Sequence, residues 1–230
     1  MDATTACNER PYAWYDLVGL TGDEGSRWVA EYSRLNGEMA LILDAVPLLR
    51  RGRLDEGRSM LDQAWDGVRA AHVADVSVLD VAERWYLGAV GYDHYCRGEM
   101  EAADARMAGA VRAVARAVAR RPFLLGLADE AVELTVHRAR IARNACRWSE
   151  MHAYVDQALG MREGTVPYLE LPGGGSVNLA DVQGWLESLP VPAHAQPLRP
   201  HLQRPDERRR STDRFVRDVL RLPGFVIQHP

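Results

Sequence analysis

The side chains best suited to chemistry are carboxylates and histidines that helical spacing can bring together. Glu130 and His137 lie seven residues apart, nearly two helical turns, so both can point one way, with Glu133 close to the same face. His152 and Asp156, at i and i+4, share a face farther along and could add ligands to a metal. Helical bundles hold di-iron centres on such groups, but the ferritin-like pattern needs Glu-x-x-His twice, and that tetrapeptide does not occur. Glu130, His137, His152 and Asp156 are thus an incomplete metal set. A small all-α enzyme built on them stays as the alternative reading. Asp93 and His94 form a weaker pair, because neighbouring helical residues point about 100° apart.

Other chemistries find less. All 28 basic residues are arginines, so no lysine amine exists for a Schiff base, an internal aldimine or a P-loop. Cys7, Cys96 and Cys146 are widely separated, with no C-x-x-C pair, and fit neither a disulfide framework nor a zinc site. No G-x-S-x-G elbow occurs, and Gly173-Gly174-Gly175, lacking the phosphate-loop lysine, reads as a flexible connection. No cofactor is expected.

The elements that must position these groups are helices. The 230 residues, 47% apolar and 26% charged with a formal charge of −4, allow one domain of the larger kind, or one plus an appendage. The longest apolar run, Met39 to Leu49, is broken by Asp44 and Pro47 and is too short to span a bilayer. With no apolar leader near Met1, a cytoplasmic location without membrane contact is expected. Trp28, Tyr32, Leu35, Met39, Ile42 and Leu43 draw a single apolar stripe along one helix, weakened by Gly37 and kinked near its end by Pro47. A second stripe runs through Val78, Ala82, Trp85, Ala89 and Val90. A third runs through Leu124, Leu127, Ala131, Leu134 and Ile141, and Pro122 can start its helix without losing a hydrogen bond. The expected class is all-α.

A pattern recurs three times. A turn residue, Gly52, Gly98 or Cys146, precedes a bulky apolar residue two on: Leu54, Met100 or Trp148. Five, nine and twelve on stand Gly57, Leu61 and Ala64, then Ala103, Met107 and Ala110, then Met151, Val155 and Ala158. Physically this is a helical hairpin: the turn residue ends the first helix, the bulky residue plugs the turn, and the later positions form one face of the second helix. The middle unit, with Gly91, Tyr95, Gly98, Ala103, Met107 and Ala110, resembles the tetratricopeptide-like helical repeats. The resemblance covers roughly residues 26 to 161. The turns lie 46 and 48 residues apart, against about 34 in the standard repeat, so longer helices are expected.

The resemblance implies a stack of hairpins whose first helices line a concave groove. Trp85, Tyr92 and Tyr95 of the middle unit would face it, with Glu133, Arg140, Arg143 and Asn144 of the third. Aromatic contact area and arginine forks suit a peptide or protein partner, acidic in character, and imply a non-catalytic adaptor or regulator. Ordinary packing between repeats, with the arginines paired to acids, is the competing account of the same residues.

Four stretches are expected: a lead-in over 1–25, the repeat domain over 26–161, a short helix and Pro/Gly-rich linker over 162–205, and a basic amphipathic helix with an apolar tail over 206–230. Asn178 to Asp181 reads as the capped start of the short helix. From Arg199 to Arg221 eight arginines face four acids, a local +4, while the remaining chain carries −8. Arg208-Arg209-Arg210 could touch phosphates, but the interrupting acids and the apolar side of Phe215, Val216, Val219 and Leu220 favour docking on the chain's own helices or on a second subunit over nucleic acid.

Overall fold

The computed structural model describes residues 14–190. The lead-in before Trp14, with Cys7, lies outside the described residues, as do most of the Pro-rich linker and the expected terminal helix and tail. The described chain is all-α: α1 (Trp14–Gly19), α2 (Asp23–Tyr32), α3 (Asn36–Arg50), α4 (Leu54–Ala70), α5 (Val76–Cys96), α6 (Met100–Arg120), α7 (Glu130–Asn144), α8 (Trp148–Glu163) and α9 (Leu179–Ser188). A two-residue hairpin, β1 (Leu169–Glu170) and β2 (Ser176–Val177), pairs Leu169 with Val177. Among the described residues no helix is long and apolar enough to cross a membrane.

Three tight turns shape the molecule, joining α3 to α4, α5 to α6 and α7 to α8. Each turn residue takes the left-handed conformation, with φ of 76° at Gly52, 79° at Gly98 and 56° at Cys146. The next residue's N–H then donates back to the first helix: Arg53 to Leu48, Glu99 to His94 and Arg147 to Ala142, at 3.0, 2.9 and 2.8 Å. That bond stops the first helix and aims the chain into the second. Small residues five on in the first two hairpins, Gly57 and Ala103, and twelve on in all three, Ala64, Ala110 and Ala158, let the paired helices close, and these four alanines are fully buried.

Neighbouring hairpins are joined by aromatic and ionic contacts. Trp65 of α4 stacks on Tyr86 of α5 with ring centroids 4.6 Å apart. Asp93, fully buried on α5, takes Arg97 at 2.9 Å and Arg58 of α4 at 3.2 Å. Arg138 of α7 grips Asp104 of α6 with two bonds of 2.7 and 3.0 Å. A buried carboxylate is costly unless its charge is met, and these arginines meet it. At the front, Trp28 stacks on Tyr32 and donates to Ser77 at 2.8 Å. At the back, the capping box of Asn178 and Asp181 opens α9 as the sequence predicts.

Several expectations need correcting. The stripe from Trp28 to Leu43 is not one helix, because Ser33–Leu35 tightens into a 3-10 turn between α2 and α3. Trp28, Tyr32, Leu35, Met39 and Ile42 still share the core, but Leu43 is 57% exposed. Pro47 does lie near the end of its helix, in the last turn of α3. Pro122 opens a 3-10 segment, Pro122–Asp129, before α7 begins. Trp148 does not plug its turn, being 55% exposed. Gly173, Gly174 and Gly175, all with positive φ, form the ordered tip of the β-hairpin, closed by Leu171 N–H donating to Gly175 at 3.0 Å.

Candidate functional site

The first helices of the three hairpins, α3, α5 and α7, line a cavity of about 200 Å3. Its walls are apolar: Ile42, Leu43 and Val46 from α3, Trp85, Ala89 and Tyr92 from α5, and Leu134 from α7. Gly88 forms part of the floor, and a Cβ placed there would meet nothing within 4 Å. Arg50, Arg84, Glu133 and His137 bring polarity to the edges.

Two side-chain ties span the gap between α5 and α7. Arg84, two turns into α5, pairs with Glu130 at the start of α7, and Asn144 donates to the Tyr95 hydroxyl near the ends of both helices. The Arg84–Glu130 pair is deeply buried, with side chains 9% and 7% exposed. Its guanidinium also lies over the Trp85 ring, 3.8 Å from the centroid, an arrangement favoured by the ring quadrupole. The cavity residues of both helices fall in sequence between the ties. Gly88, Ala89 and Tyr92 follow Arg84 and precede Tyr95. Glu133, Leu134 and His137 follow Glu130 and precede Asn144.

The electrostatics of this gap are set by burial. His137 is pushed down to about 3, first by desolvation and then by the charges of Arg140 and Arg84, so its imidazole is neutral near pH 7. Burial also lowers the Arg140 guanidinium, whose titratable neighbours are Tyr95, Arg143 and Glu133. It raises the Tyr92 and Tyr95 phenols, keeping both protonated. Cys96 is likewise raised to about 11 by burial, which removes it as a thiolate nucleophile.

Among the residues expected to face a groove, Trp85, Tyr92 and Glu133 line the cavity, while Tyr95 and Asn144 form a tie. Arg140 and Arg143 stand within electrostatic reach of Tyr95, beyond the cavity. The metal candidates do not assemble. Glu130 is held by Arg84, whereas His152 and Asp156 are exposed on α8. No group of three potential metal ligands occurs among the described residues. Asp93 and His94 also serve packing: His94 Nδ1 lies 2.5 Å from Glu99.

Sequence reasoning missed Leu43, Val46, Gly88, Arg50 and Arg84 as site residues. Two carried a usable signal, for a glycine in mid-helix costs about 1 kcal/mol and calls for a reason. Leu43 follows Ile42 directly, about 100° further round the helix, off the face that carries the rest of its stripe. Comparison with models of known families, with curated proteins and with solved structures found no match.

Proposed function

We propose that this chain is a tetratricopeptide-like helical-repeat module that captures a peptide or protein segment in the concave face between α3, α5 and α7, without catalysis. The cavity that Gly88 leaves open between the two ties carries this reading. At about 200 Å3 it lies below the roughly 300–1,000 Å3 usual for small-molecule pockets and matches one large side chain. An apolar residue of the partner would anchor there, with Leu43, half exposed in the free chain, closing over it. Arg50 at the cavity edge, with Arg140 and Arg143 beyond it, favours acidic flanks on that segment. The engagement of Glu130 by Arg84 supports binding over metal chemistry.

The test is Gly88→Leu, which fills the cavity without touching the fold. Wild-type and variant protein are used to capture partners from native lysate, read by mass spectrometry. The variant should lose the partner at least tenfold while its helix gains stability of about 1 kcal/mol from removal of the glycine. Unchanged capture by Gly88→Leu protein would refute the groove reading. Arg140→Ala with Arg143→Ala examines the acidic preference separately.

A further inference from the structure

The outward stripe of α8 matches, position by position, the stripes by which α4 and α6 receive the hairpin that follows. Counted from the turn residue, the second, sixth and thirteenth positions are Leu54, Arg58 and Trp65 on α4; Met100, Asp104 and Val111 on α6; and Trp148, His152 and Leu159 on α8. On α4 this stripe is taken up by α5, through Arg58 with Asp93 and Trp65 on Tyr86. On α6 it meets α7, through Asp104 with Arg138. On α8 no helical hairpin follows among the described residues. The contacts from α9 reach its far end, where Leu179 sits 3.3 Å from a Cβ placed on Gly164. The near end keeps Trp148 55% exposed, with His152, Glu150 and Asp156 exposed around it.

We propose that residues 206–221 of this same chain occupy that stripe, packing as a helix along the first turns of α8 with Phe215 and Val219 against Trp148. Three observations name the occupant. Phe215, Val216, Val219 and Leu220 fall on one side at helical spacing. Residues 199–221 carry +4 against −8 in the rest of the chain, and the first turns of α8 expose Asp156 and Glu150, the latter paired with Arg147 at 3.1 Å. The reach suffices: the Pro-rich residues 191–205 extend roughly 45 Å at about 3.1 Å per residue. The 16 residues of α8 are only about 24 Å long. The inference is independent of what the concave cavity binds, because the two surfaces share no residue.

Hydrogen exchange of the full chain, read by mass spectrometry, tests it. Phe215→Asp with Val219→Asp should speed exchange across residues 148–156 about tenfold, and 1 M salt should act in the same direction on the wild type. Peptides from α5 serve as the control for folding and should not change. Reversing Arg208, Arg209 and Arg210 to glutamate should have the same effect as the apolar variant through charge alone. Equal exchange across 148–156 in wild type and both variants overturns the proposal. So does protection that grows with protein concentration alongside a dimeric mass, which would assign the stripe to a second copy.

Discussion

The middle and last hairpins turn alike and are surrounded differently. Gly98 and Cys146 adopt the same left-handed backbone and are followed by the same backward hydrogen bond, although only one of them is glycine. Two residues later the likeness ends, since Met100 is half buried whereas Trp148 is exposed. Local backbone chemistry therefore sets the turn, and the neighbouring hairpin sets what is buried. Met100 has α7 beyond its helix to pack the stripe it begins. Trp148 has no such neighbour among the described residues.

The largest contrast should appear on acidification. His137 of the last hairpin stays neutral in the folded chain down to about pH 3 but takes a proton near pH 6.5 once unfolded. Between those values acid favours the unfolded chain, so stability present above about pH 6.5 is lost as pH falls. Wild type should lose up to about 1.4 kcal/mol per pH unit relative to His137→Gln, measured by urea unfolding from pH 6.5 to 4.5. Parallel profiles would show that His137 is not held neutral. The middle hairpin responds instead to loss of its buried charge. Asp93→Ala should cost about 3 kcal/mol, and more than Asp104→Ala, whose carboxylate is 17% exposed.

Packing gives the next contrast. Ala103→Leu should overpack the contact between α5 and α6 and cost about 2 kcal/mol. The equivalent Met151 is already large, so Met151→Leu should cost less than about 1.5 kcal/mol. Matching losses from thermal melts would erase the distinction between the hairpins. The smallest effect belongs to the turns. Gly98→Ala should destabilise by about 1 kcal/mol and Cys146→Gly should stabilise by up to that amount, since a side chain in the left-handed region costs roughly 1–2 kcal/mol. A destabilising Cys146→Gly would mean that the thiol contributes more than its backbone costs.

Much of this was legible in the sequence because it is local. The three turn residues, the apolar faces behind them and the Asn178 cap each act within a few residues, and each lies where its spacing placed it. The candidate site was legible only in part. Trp85, Tyr92 and Glu133 follow from the position of a first helix, but the cavity needs α3, α5 and α7 together. The Arg84–Glu130 tie joins residues 46 apart, and no local pattern fixes such a pairing. The break at Ser33–Leu35 escaped notice because a 3-10 turn keeps nearly helical backbone angles, leaving the apolar stripe in phase. Trp148 reads as buried until one knows whether another helix lies beside it.

The two ties between α5 and α7 also impose a limit on length. Arg84 and Tyr95 are eleven residues apart on α5, about 16 Å along its axis, and the opening between the helices is closed at both of those points. A guest lying along the gap fits freely only if its inserted part is shorter than that window. Anything longer must pull the guanidinium from Glu130 or the phenol from Asn144, and the first of these exposes two opposite charges at once. Under the proposed binding function the gap would work as a frame with fixed ends, sorting guests by size before any of their chemistry is read.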